Sequence, residues 1–178
     1  MISGALTALR AREPDDVPVL HHDLYDDVST RVFADTRPWR PLAAGSSPYA
    51  ATTSDDADIF SVVELASGEL AGEALLWQID MHNRSAHVGL AIRPAFRGRG
   101  FGADTLRTLC EYGFRIRGLH RLQVETAQGN EAMTRIATRV GFRQEGQLSQ
   151  ALWVAGAFTD ELIFGVLASD FLPGTPGA

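Results

Sequence analysis

The spacing of apolar and polar residues changes period several times along the chain, and each change marks an element. "ALTALRAR", Ala5 to Arg12, alternates as a strand does. "EPDDVPVLHHDLYDD" then places Val17, Leu20 and Leu24 at helical spacing, behind a proline and two acids suited to a helix start. "TRPWRPLAAGSSPYA" reads as a loop from its prolines and small polar residues. "IFSVVEL" and "LAGEALLWQI", joined by "ASGE", predict a hairpin, and "AHVGLAI" adds a strand. Ala103, Leu106, Leu109, Cys110 and Phe114 mark one face of a helix ending near Gly118. "RLQVETA" is a strand, and "NEAMTRIATRVG" a short helix with Asn130 as its cap and Gly141 as its stop. Two strands, "LSQALWV" and "DELIFGVL", close the pattern on either side of "AGAFT". This order predicts an α+β domain, a mixed sheet covered by helices, over residues 1–172, with a flexible tail at residues 173–178.

Composition agrees with one domain, since 178 residues at 45% hydrophobic content can bury a core. No run of about 18 apolar residues and no leader pattern occurs, so a soluble, cytoplasmic protein without membrane association is expected. Cys110 is the sole cysteine, which excludes an internal disulfide and reads as a buried thiol. His21, His22, His82 and His120 lack ligand spacing, and no metal site is expected. A net charge of -6 argues against nucleic acid as a partner. That charge is unevenly divided. Residues 1–80 carry 14 acids and 5 arginines, while residues 81–178 carry 8 acids and 11 arginines. The second half suits a polyanionic ligand and the first a cationic one, or else the acids serve solvated turns.

The basic half contains "RPAFRGRGFGADTL", with Gly98, Gly100 and Gly102 at alternate positions running into a helix. Glycines without Cβ at a helix start let backbone amides approach a phosphate. A dinucleotide fingerprint fits poorly, although Glu125 ends the next strand as that fold requires, because Pro94, Ala95, Phe96 and Arg97 intervene before Gly98. A Walker loop is excluded by the absence of any lysine.

The segment resembles the acyl-CoA site of the GNAT superfamily of N-acetyltransferases, whose R-x-x-G-x-G/A signature is matched by Arg97, Gly100 and Gly102. Asn130, Gly141 and Phe142 are similar to the family's helix segment, and Gly156 and Asp160 resemble the terminal strand pair of its RimJ/RimL branch. The resemblance implies a mostly antiparallel twisted sheet, splayed at the acyl-CoA site, and acetyl-CoA as co-substrate. It implies that Arg97, Gly98, Arg99, Gly100, Phe101 and Gly102 hold the pyrophosphate, and that the backbone of Leu90, Ala91 and Ile92 holds the pantetheine arm and thioester. Asn130 would contact that arm, a role compatible with capping a helix.

The implied reaction moves an acetyl group to a primary amine of a peptide N-terminus or a small molecule; a small-molecule or antibiotic acetyltransferase and a CoA-binding sensor without turnover stay open, as does a homodimer. His87 stands where the branch carries a glutamate, and its imidazole is the candidate general base, against a structural histidine. Ala137 and Met133 replace the family's usual Tyr and Ser, which leaves the proton donor unassigned. Trp39 and Trp77 read as core residues in preference to walls of the acceptor cleft.

Overall fold

The computed structural model describes residues 1–32, 35 and 37–172. The tail at residues 173–178 and Thr36, the first residue of the expected loop, lie outside the described residues. The strands are β1 (Ile2–Ser3), β2 (Thr7–Ala11), β3 (Ala57–Glu64), β4 (Leu70–Asp80), β5 (Ser85–Ile92), β6 (Arg121–Ala127), β7 (Arg143–Val154) and β8 (Ala157–Leu167). They form one sheet in the order β1-β2-β3-β4-β5-β6-β8-β7. Only β5 and β6 run parallel, because the helix α3 (Phe101–Glu111) carries the chain across between them. The other helices are α1 (Asp16–Leu20), continued by a wide turn at His21–Tyr25, α2 (Val28–Arg31), α4 (Glu131–Val140) and α5 (Ala168–Phe171).

Strand alternation sorts side chains onto two faces. On one, Ala86 and Val88 of β5 join Leu76, Leu122, Val124 and Phe164 beneath α3 and α4, whose Leu106, Leu109, Cys110 and Ala137 are buried. On the other, Leu20, Leu24, Tyr25 and Tyr49 form a smaller cluster against which Leu70 and Ala91 pack. The α4 helix begins where Asn130 Oδ1 accepts the Met133 N–H at 3.1 Å, a cap worth about 1 kcal/mol. It ends at Gly141, whose φ of 115° favours glycine.

Three sequence expectations need correction. The last hairpin turns on Ala155 and Gly156 alone, both at positive φ as a two-residue loop requires, so β8 begins at Ala157 inside the expected "AGAFT" turn, and β7 begins at Arg143, ahead of the expected "LSQALWV" strand. Their outer residues are exposed, which left no apolar alternation to read. Trp39 is not core: it is 42% exposed, with its ring tilted against Tyr25 at 6.5 Å. Trp77 is half-buried and packs on His87.

Candidate active site

The strand β5 pairs with β6 only at Ser85↔Arg121, Ala86↔Leu122 and His87↔Gln123. Beyond His87, β5 continues against β4 as far as Gly72↔Ile92, while β6 continues against β8 from Val124↔Phe164 to Ala127↔Glu161. The sheet therefore opens between two strands that were neighbours. Arg93 donates its N–H to Ala71 O, so by strand alternation the amides of Ala91 and Gly89 face β4, and those of Leu90 and Ile92 face the gap. The Ala91 carbonyl lies 2.1 Å from where a Cβ on Gly72 would stand. Ala91 is thus removed from the expected backbone contacts: its amide serves the sheet. Ile92 O in the gap already accepts Arg97 Nε at 2.9 Å.

After β5 a single turn at Pro94–Phe96 leads into the glycine loop. Gly98 and Gly100 have φ of 74° and 85°, conformations that cost a side-chain-bearing residue. Gly100 is the N-cap of α3 and supplies no side-chain cap to the first helical N–H groups. These amides, with the positive end of the helix, suit a phosphate. Gly102 has a different role, since its missing Cβ would stand 3.3 Å from Ile136 Cδ1 and lets α3 approach α4. Phe101 is buried, so only its backbone is available to a ligand. Of the two arginines, Arg99 is neutralised by an ion pair with Glu64 and lies 4.7 Å from the Phe101 ring centroid, whereas Arg97 reaches across to the strand.

Asp104 fixes this loop against the far edge of the sheet. Its carboxylate accepts the N–H groups of Ala5, Leu6 and Thr7 at 2.9, 3.0 and 2.8 Å and the Thr7 hydroxyl at 2.8 Å. Burial opposes its ionisation, yet these donors hold its pKa below the usual carboxylate value. In the sequence Asp104 gives no sign of this role, because an acid in the first turn of a helix has a sufficient local reason to be there. Asp23, counted above among the first-half acids that would favour a cationic ligand, accepts Arg93 Nε at 2.7 Å and His22 Nδ1 at 2.7 Å and so ties the first helix to the loop. Asp26 lies 3.4 Å from His21 Nε2.

His87, Gly89 and Ala91 share the face opposite α3, beside Glu73, Leu75 and Trp77 of β4. A Cβ at Gly89 would press within 2.8 Å of Leu75 Cδ2, so glycine keeps this floor low. Glu73 is ion-paired with Arg12 at 2.9 Å; burial pushes its carboxyl upward against the pull of that guanidinium. Across the sheet, Glu125 approaches His87 to 3.5 Å, far from the ribose-binding role that a dinucleotide fold would give it. Asn130 contributes the α4 cap, and Ala137 is fully buried. The Cys110 thiol is buried and its pKa is raised by desolvation, as a structural cysteine's is. The signal for Glu73 and Glu125 lay in strand parity, but parity identifies a face only once neighbouring strands are known.

A gap between parallel strands, with unpaired backbone groups facing into it and a glycine loop and helix N-terminus at its end, suits an extended phosphate-bearing ligand. The acetyltransferase (GNAT) domain family matches residues 7–143, and the chain belongs to that family. It is an acetyl-CoA-dependent N-acyltransferase. The spermidine N(1)-acetyltransferase of Vibrio cholerae is 27% identical over 164 residues, covering 92% of this chain and 94% of that protein. A putative ribosomal N-acetyltransferase of Bacillus subtilis is 32% identical over 107 residues, covering 60% and 58%. Among solved structures, the V. cholerae spermidine N-acetyltransferase with CoA and spermine superposes with a TM-score of 0.82 at 21% identity, covering 94% of this chain and 99% of that one. Mycobacterium smegmatis RimJ with CoA-disulfide gives 0.80 at 23%, covering 95% and 85%. No helix among the described residues is long and apolar enough to cross a membrane.

Proposed function

We propose that this chain is a one-domain, cytoplasmic enzyme that acetylates a primary amine of a small, multiply charged cation of the spermidine kind. The strand gap at Leu90 carries this reading. There the Leu90 N–H faces the gap, free of β6, and is the donor available to an oxyanion formed as the amine attacks a thioester held in the gap. Arg97 and the amides of Gly98 to Gly102 receive the pyrophosphate. His87, on the open face, takes the proton as the N–C bond forms and the C–S bond breaks. The cationic acceptor is supported by spermidine acetyltransferases that match this chain over nearly their whole length, and by acids on the open face. Glu161 there has its carboxyl pKa raised by burial and by the neighbouring charge of Glu125, which a bound ammonium would relieve.

A peptide N-terminus is the second reading. It is favoured by Gly156 at the hairpin turn and Asp160, whose carboxylate accepts the Gln150 N–H at 2.8 Å across β7 and β8, together with the likeness to RimJ. An α-amino group near pKa 8 also reacts more readily at neutral pH than a lysine amine. The two separate in one experiment: the protein, acetyl-CoA and a pool of di- and polyamines and peptides with free N-termini, read by mass of the acetylated products. Monoacetylated polyamine is expected. Peptide products alone would move the assignment to the second reading, and CoA binding without any product would leave only a sensor.

A further inference from the structure

His87 Nδ1 is shielded from solvent and has no hydrogen-bond partner. Glu125 Oε2 lies 3.5 Å from it, just beyond the usual N–H···O range of about 2.7–3.2 Å. That carboxylate is pinned from behind. Gln123 Nε2 donates to its Oε1 at 2.8 Å, Gln123 Oε1 in turn accepts Arg121 Nη2 at 3.2 Å, and Arg121 is ion-paired with Glu145. On the opposite side the Trp77 ring confines the imidazole, with centroids 4.7 Å apart. The pairing His87↔Gln123 is the last before β5 and β6 part, so imidazole and carboxylate meet where the gap begins.

We propose that Glu125 is a positioning residue of acetyl transfer: it holds the proton of His87 on Nδ1 and so leaves the Nε2 lone pair for the acceptor amine. This rests on the reading of His87 as base. The amine's proton passes to Nε2, the carboxylate stays ionised, and its charge offsets the imidazolium that forms, as in other imidazole–carboxylate pairs. Without the carboxylate, either nitrogen can carry the proton, and one of the two tautomers has no lone pair on the side of the reaction.

The test uses the full chain. Nitrogen-15 spectra of labelled histidine report the tautomer, with the Nδ1–H form of His87 expected in the protein and a shift toward the Nε2–H form in Glu125→Gln. In steady-state kinetics Glu125→Gln should lower kcat by about 10-fold or more while the KM for acetyl-CoA changes by less than about twofold. The double variant His87→Ala with Glu125→Gln should be no slower than His87→Ala, because the carboxylate acts through the imidazole. Glu125→Asp should recover part of the rate. The Glu125 side chain is 29% exposed on the sheet surface, so the isosteric amide should leave the melting temperature unchanged. An unchanged tautomer, effects that multiply in the double variant, or a Glu125→Gln enzyme slower than His87→Ala would each overturn the inference. A full rate in His87→Ala would remove the base reading itself, whereas a slow His87→Ala beside an unaffected Glu125→Gln would remove this inference alone.

Discussion

Replacing Asp104 by asparagine tests how the glycine loop is held. The carboxylate receives four donors from Ala5, Leu6 and Thr7, three of them backbone N–H groups. Asparagine keeps one oxygen and turns an NH2 group toward at least one of these donors. Leaving the N–H or hydroxyl of buried Thr7 unsatisfied costs about 1–3 kcal/mol, and weakening the remaining charge-assisted bonds adds about 1 kcal/mol. A loss of about 2–4 kcal/mol follows, which for a chain of this length lowers Tm by about 5–12 °C. Urea unfolding measures the free energy directly, and initial rates measure the KM for acetyl-CoA, which should rise several-fold as the start of α3 loosens while kcat stays close to wild type. Gly4→Ala probes the same clamp independently, since its Cβ would stand 2.5 Å from Asp104 Oδ2. Gly4→Ala and Asp104→Asn proteins both within about 0.5 kcal/mol of wild type would refute the clamp.

Gly100→Val should weaken CoA binding at least 10-fold in calorimetry, because φ of 85° is strained for valine and its branches crowd the approach to the loop. Measurable NAD affinity without CoA affinity in the parent protein would contradict the assignment of this loop. The Asp16 carboxylate, opposed by burial but bound to both Arg10 terminal nitrogens at 2.7 Å and to Ser61, has its pKa lowered to about 2. Its contribution to stability is therefore complete above about pH 4 and lost as pH falls toward 2. Acid unfolding of Asp16→Asn should show a shallower loss of stability across that window, and an unchanged slope would place the acid sensitivity elsewhere.

Local patterns in the chain determined the elements and the phosphate loop. Period-two alternation marked β6 from Arg121 to Ala127, Asn130 and Gly141 bracketed α4, and the glycines at 98 and 100 sit at positive φ as their spacing implied. These features arise within a few residues, from backbone sterics and unsatisfied helix ends, so sequence carries them. Pairing across the sheet was decided only by the tertiary structure. How far β6 stays paired with β5 while it runs along β8, and which β5 amides β4 takes, depend on contacts far apart in sequence; together they open the gap at Leu90 and keep the Ala91 amide out of it. The last pairing between β5 and β6, His87↔Gln123, brings Glu125 to His87, 38 positions away along the chain. Asp104 and the N-terminal strand meet across a separation of 97 to 99 residues. A hydrogen bond leaves no periodic trace in either partner segment, and its geometry exists only after the core beneath α3 has fixed how the strands lie.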